Sequence, residues 1–188
     1  MYRELLTWLL SVALFAVSLP ATAQVEPKGA LCVESSEVAP ERVIEDCDEL
    51  LMDKATAEVK LPSIFLARAE ALVRQGRLRF AIEDLDSVVE RRPDNARAFF
   101  RRAELQRARG DADAAIRDFT SAIRLEPKNL AALVARAEVY RARTDRRRAL
   151  ADYAAVLRID PSHEAASTSY KALAQEIERL GAIMPVQK

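Results

Sequence analysis

The sequence predicts an all-α fold: an α-solenoid of three stacked helix–turn–helix units, preceded by an N-terminal half-repeat and followed by a C-terminal capping helix. Three observations predict it. Pro93, Pro127 and Pro161 lie 34 residues apart, and a fixed period of that length marks a stacked repeat. The same spacing recurs at Ala81, Ala115 and Ala149, at Leu85, Phe119 and Tyr153, and at the charged sets Arg68/Arg102/Arg136, Asp84/Asp118/Asp152 and Glu70/Glu104/Glu138. Within each period the apolar residues fall three and four apart, as on one helix face, in "AFFRRAELQRA" and in "DADAAIRDFTSAIRL". One such hairpin cannot bury both of its faces, so neighbours must stack into a continuous core.

Residues 1–23 stand outside this pattern. Arg3 precedes an apolar run from Leu5 to Leu19, then Pro20 and Ala21-Thr22-Ala23. That is the form of a secretory signal peptide with an A-x-A cleavage site, and the run is shorter than the roughly 20 residues needed to span a bilayer as a helix. An uncleaved anchor is the alternative reading. The expectation is an exported protein, periplasmic or secreted, with no stable membrane span after cleavage.

Residues 24–61 are an acidic N-terminal segment, with ten acidic and four basic side chains. They contain both cysteines, Cys32 and Cys47. In an oxidising compartment two cysteines favour one disulfide, and two free thiols are the alternative. "VIEDCDELL" aligns with "AIEDLDSVV" of the first unit, Cys47 against Leu85, so residues 40–53 read as a half-repeat helix starting at Pro40. The offset is 38 residues instead of 34, so the connection to the first unit holds about one helical turn more than usual.

The three units then cover residues 62–95, 96–129 and 130–163. Gly76 and Gly110 close the first helix of their units in a left-handed conformation. Thr144 stands in that place in the third unit. A β-branched residue at positive φ is strained, which predicts a different turn or a different join there. Each proline stops a second helix, and Asn95 and Asn129 can cap the helix that follows. His163 holds the corresponding place after Pro161 and reads as a helix-start or surface residue. Residues 163–182 are the polar capping helix such arrays need for solubility, and residues 183–188 are a tail.

On these residues the chain resembles the tetratricopeptide repeat family, whose pattern is W-x2-L-G-x2-Y, A-x3-F, A and P. The second unit matches with Phe99, Ala103, Ala115, Phe119, Ala122 and Pro127. The third matches with Leu133, Ala137, Tyr140, Ala149, Tyr153, Val156 and Pro161, and the first with Phe65, Ala69, Leu72, Ala81, Leu85, Val88 and Pro93. Tryptophan is absent from all three, replaced each time by another large apolar group. The resemblance implies a concave groove lined by first helices. Leu66, Phe100 and Val134 would form one row, Glu70, Glu104 and Glu138 the next, and Arg74, Arg107 and Arg141 a third. A protein or peptide segment is the implied ligand, and Phe100, an aromatic facing solvent, is the leading contact. The family's carboxylate clamp relies on Asn and Lys in this groove, and here Glu104 and its equivalents stand in place of the Asn, which argues against an anionic C-terminus. Exported relatives with an early cysteine pair support a Cys32–Cys47 bridge.

A plainer reading pairs each Glu with an Arg of its own helix: Glu70 with Arg74, Glu104 with Arg107, Glu138 with Arg141. Such pairs contribute only about 0.2–0.5 kcal/mol each. The Arg68/Arg102/Arg136 and Asp84/Asp118/Asp152 sets read as structural ion pairs between the two helices of a unit. Arg146-Arg147-Arg148 reads as a solvated loop, or else as a contact patch for an anionic partner.

Catalytic constellations are not found. One histidine and two cysteines leave little scope for a metal cluster or a Ser-His-Asp arrangement, and no Gly-rich phosphate loop is present. No cofactor and no metal are expected. Residues 62–188 carry 24 basic and 18 acidic side chains, interleaved, so nucleic acid is not an expected partner. The expectation is a non-catalytic scaffold or adaptor of the bacterial envelope. Its alternatives are a structural or oligomerisation subunit that self-associates through the array ends, and a regulatory subunit of an enzyme assembly.

Overall fold

The computed structural model describes residues 29–32 and 37–183. The signal segment 1–23, residues 24–28 and the end of the tail lie outside the described residues. Those described form eight α-helices and no strand: α1 (Pro40–Met52), α2 (Leu61–Arg74), α3 (Leu78–Arg91), α4 (Ala96–Ala108), α5 (Ala112–Leu125), α6 (Leu130–Ala142), α7 (Arg146–Ile159) and α8 (Glu164–Ile183). Helices α2 to α7 form three hairpins in series, with α1 packed on α2 and α8 on α7. The all-α solenoid predicted from the period is what the chain adopts.

Local chemistry sets the helix ends. The side chains of Asn95 and Asn129 accept from the N–H of Ala98 and of Ala132, each at 3.0 Å, at the starts of α4 and α6. His163 does the same for α8, where Ala166 N–H donates to Nδ1 at 3.2 Å. Two of the second helices carry aspartate caps of their own: Asp111 takes the N–H of Ala114 and Asp145 that of Arg148. Arg77 holds that place in the first unit and makes no side-chain cap. The longer connection after α1 is filled by a 3-10 turn, Glu58–Lys60, with Thr56 Oγ1 donating to the Leu50 carbonyl at 2.6 Å.

The third turn corrects an expectation. Thr144 has φ 60°, beside 73° at Gly76 and 82° at Gly110, so it keeps the conformation of the glycines and the helices are joined alike. Its backbone makes the same bonds: Thr144 N–H to Arg141 O and Asp145 N–H to Tyr140 O, both 2.9 Å, as Gly110 N–H to Arg107 O and Asp111 N–H to Gln106 O. Stacking imposes the shape and the threonine bears the strain. Thr144→Gly should therefore raise stability by about 1 kcal/mol, read as a rise in melting temperature of about 2–4 °C. An unchanged or lower midpoint would contradict this account.

The core runs the length of the stack. Cys47, Leu85, Phe119 and Tyr153, one per layer, are all essentially fully buried. Charged pairs tie the layers beside them. Arg102 holds Asp118 with two parallel bonds, Nε to Oδ2 at 2.6 Å and Nη2 to Oδ1 at 2.8 Å, and Arg136 holds Asp152 likewise. Arg68 does so with Asp84. The remaining Nη1 of each arginine reaches back one layer, to Asp48 from Arg68, Asp86 from Arg102 and Thr120 Oγ1 from Arg136. One side chain thus fixes both the hairpin and its stacking register. Burial pushes the Asp84 carboxyl above the usual carboxylate range, against the pull of Arg68, whose own guanidinium is held more basic than usual. The bidentate geometry makes the pair ionic near neutral pH, and that is the direction that governs its role.

The N-terminal segment completes the stack. Cys32 and Cys47 form a disulfide across 15 residues. Asp46 aligns with Asp84, Asp118 and Asp152, yet α1 has no first helix to supply an arginine. Its carboxylate instead accepts backbone N–H groups from Gly29 (3.3 Å), Leu31 (2.7 Å) and Cys32 (2.8 Å). The turn at residues 29–32 therefore stands where a unit would place a helix. Gly29 is required there, since its φ is 81° and an added Cβ would meet Leu50 at 2.5 Å.

Candidate functional site

Helices α2, α4 and α6 present one side of each hairpin, and between α2 and α4 they leave a cavity of about 260 Å³. It is lined by the apolar Leu66, Ala69, Val73, Leu85 and Leu105 and by Glu70, Arg101 and Glu104. Three residues predicted from the sequence, Leu66, Glu70 and Glu104, are brought together here. Leu66 is itself largely buried and forms part of the cavity wall.

The charges at the cavity are organised by a residue that sequence reasoning missed. Arg101 places Nε 2.8 Å from Glu70 Oε1 and donates from Nη1 to Glu104 Oε2 at 2.9 Å. Arg97 adds a weaker approach to Glu70 at 3.7 Å. The signal was a departure from the repeat, because the equivalent positions are Ala67 and Ala135. Glu70 therefore finds its partner in the next unit, and Glu104 finds its own three residues back. Of the three expected helix pairs only Glu138–Arg141 forms as drawn, at 3.0 Å from Nε. Arg74 donates to the Val38 carbonyl at 2.7 Å, and Arg107 is exposed. Glu70 Oε1 is shut off from water and has no donor aligned for a hydrogen bond.

Phe100 is half-buried and only partly open to solvent. Its ring lies 5.8 Å from that of Phe119, tilted 56°, an arrangement worth about 0.5–1.5 kcal/mol beyond area burial. The second helix of its own unit supplies the partner that was expected from outside. Val134 is likewise half-buried, packed against the core under α7 and α8. Glu138 accepts from the Tyr153 hydroxyl as well as from Arg141. Burial raises its carboxyl, but these two bonds outweigh that and leave it below the usual range. Burial and the same bond push Tyr153 up to about 12.

Among the described residues no cluster of His, Cys, Asp and Glu could hold a metal ion, and no helix is long and apolar enough to cross a membrane. A family profile described as "Tetratricopeptide repeat" matches residues 66–129 and again 100–164. No curated protein matches the chain significantly. Solved structures do. A crystal structure of MamA superposes with a TM-score of 0.67 at 19% identity, covering 74% of this chain and 79% of that one. YrrB, a tetratricopeptide repeat protein with an unusual peptide-binding site, gives 0.61 at 20%, covering 70% of this chain and 66% of its own. The first such domain of Spaghetti (RPAP3), bound to the HSP90 peptide SRMEEVD, gives 0.59 at 19%, covering 65% and 97%. At these identities the likeness is one of fold.

Proposed function

Since the chain belongs to the tetratricopeptide repeat family, generally a non-catalytic interaction fold, we propose that it is itself non-catalytic and binds a protein or peptide segment in the groove of α2, α4 and α6. The observation that carries this reading is the cavity between α2 and α4, whose apolar floor and charged mouth suit one apolar side chain of an extended ligand. Two carboxylates, Glu70 and Glu104, share the single Arg101 at the mouth, which suits a ligand cation beside that anchor. The neighbouring structures support a peptide ligand, as YrrB and the RPAP3 domain are peptide binders by their descriptions. The RPAP3 peptide ends in acids; Glu70 and Glu104 at the cavity mouth disfavour one of that kind.

We further propose action outside the cytoplasm, as an adaptor of the bacterial envelope. The Cys32–Cys47 bridge supports it, together with the leader-like residues 1–23, because such bridges persist in oxidising compartments. Selection from a random peptide library on the immobilised oxidised protein tests the groove. Enriched peptides should share an apolar residue next to a basic one. Val73→Arg, which places a cation at the cavity wall, should weaken them at least about tenfold, a loss of about 1.4 kcal/mol, with the melting temperature little changed. Acid-rich peptides, or equal binding by the variant, would refute the site.

A further inference from the structure

We propose that the edge formed by the three turns within the hairpins is a docking surface for an anionic phospholipid membrane. It shares no residue with the lining of the α2–α4 cavity and does not depend on the groove reading. The turns at residues 74–79, 107–113 and 141–148 contain ten arginines and three aspartates. They share one edge of the stack. Arg143 of the third turn pairs with Asp113 of the second, and Arg146 crosses to Glu176 of α8 at 2.8 Å. At the other end Arg74 and Gln75 of the first turn bond to Val38 and Glu41 at the start of α1.

Several of these cations are already committed: Arg141 to Glu138, Arg143 to Asp113, Arg146 to Glu176, Arg148 to Asp145 at 3.4 Å, and Arg79 to Glu83 at 3.8 Å. Arg77, Arg109 and Arg147 are not. Each is exposed, each makes no ion pair among the described residues, and each turn holds one of them. These three guanidinium groups stand at the tips of successive hairpins along that edge, and a guanidinium binds phosphate in a two-pronged fashion. Phe80 adds a feature a membrane exploits better than a soluble polyanion does. It is exposed at the same edge, its ring held between Arg77 at 4.7 Å and Arg79 at 4.8 Å, and an aromatic flanked by cations suits the headgroup boundary.

The test is sedimentation of the oxidised protein with vesicles of phosphatidylglycerol and phosphatidylcholine, against phosphatidylcholine alone. Wild type should bind only the anionic vesicles, and 0.5 M salt should release it, because exposed charges are screened. Arg77→Gln/Arg109→Gln/Arg147→Gln should bind roughly a hundredfold more weakly. Arg124→Gln/Lys128→Gln/Arg158→Gln removes equal charge from exposed positions outside these turns and should bind like wild type. Melting curves of both variants should match wild type, which separates docking from misfolding. Equal losses in the two variants would reduce the effect to net charge and overturn the proposal. So would failure of wild type to bind, or edge-dependent binding to polyglutamate without binding to vesicles, which would mean an acidic protein is the partner.

Discussion

Arg102→Ala is expected to lower the melting temperature by about 10 °C while leaving peptide binding in the groove unchanged. The substitution removes both bonds to Asp118 and the Nη1 link to Asp86 in the preceding unit. Asp118 stays behind, almost wholly buried, as a carboxylate with no counter-charge. Breaking one partner of such a pair costs about 3–5 kcal/mol, more than the pair itself contributes relative to an apolar replacement. Arg102→Met/Asp118→Leu should therefore recover much of the loss, since neither charge is stranded. The affected layer joins the first and second units, so thermal unfolding should also become less cooperative. A variant that kept its midpoint but lost its peptide would make Arg102 a ligand contact instead. Differential scanning calorimetry beside a peptide titration separates the two outcomes.

The repeat was legible because its information is periodic. Proline, glycine, asparagine and the buried row from Leu85 to Tyr153 each recur with the helix pair that needs them, so one unit corroborates the next. The Arg–Asp ladder was legible for the same reason. The misreadings fall where one unit differs from its neighbours or where a charged side chain has a choice of partner. Arg101 occupies a place filled by alanine elsewhere, and no period announces it. Glu70 could pair along its own helix or across to α4. Such alternatives differ by a few tenths of a kcal/mol, and the distance between helices decides, which spacing alone does not reveal. The place of Phe100 in the pattern points to solvent, but Phe119 stands close enough to cover part of its ring. Thr144 shows the opposite failure: local preference argued for a different turn, and stacking on both sides overrode it.

Cys32→Ala/Cys47→Ala is expected to destabilise the N-terminal end of the array by about 3 kcal/mol, the loop-closure contribution of a bridge spanning some 15 residues. The bridge supports a segment with little core of its own. Residues 29–32 are held otherwise by the Asp46 carboxylate, a chelate of three backbone N–H groups that is strong only while the turn stays folded. Without the bridge, α1 would keep Val43 and Ile44 against α2 but lose its cover, and the cavity left at position 47 lies in the fully buried row. Because each layer of a solenoid contacts only its neighbours, the damage should be graded. Amide exchange should accelerate most at Leu31 and Cys32, then along α1, and scarcely at all in α6 and α7. Reduction of the wild-type protein should reproduce the pattern, and Asp46→Asn should loosen residues 29–32 with the bridge intact. Uniform acceleration through all helices would mean that the array unfolds as one unit and that the bridge is not a local staple. An unchanged exchange profile on reduction would remove the staple altogether.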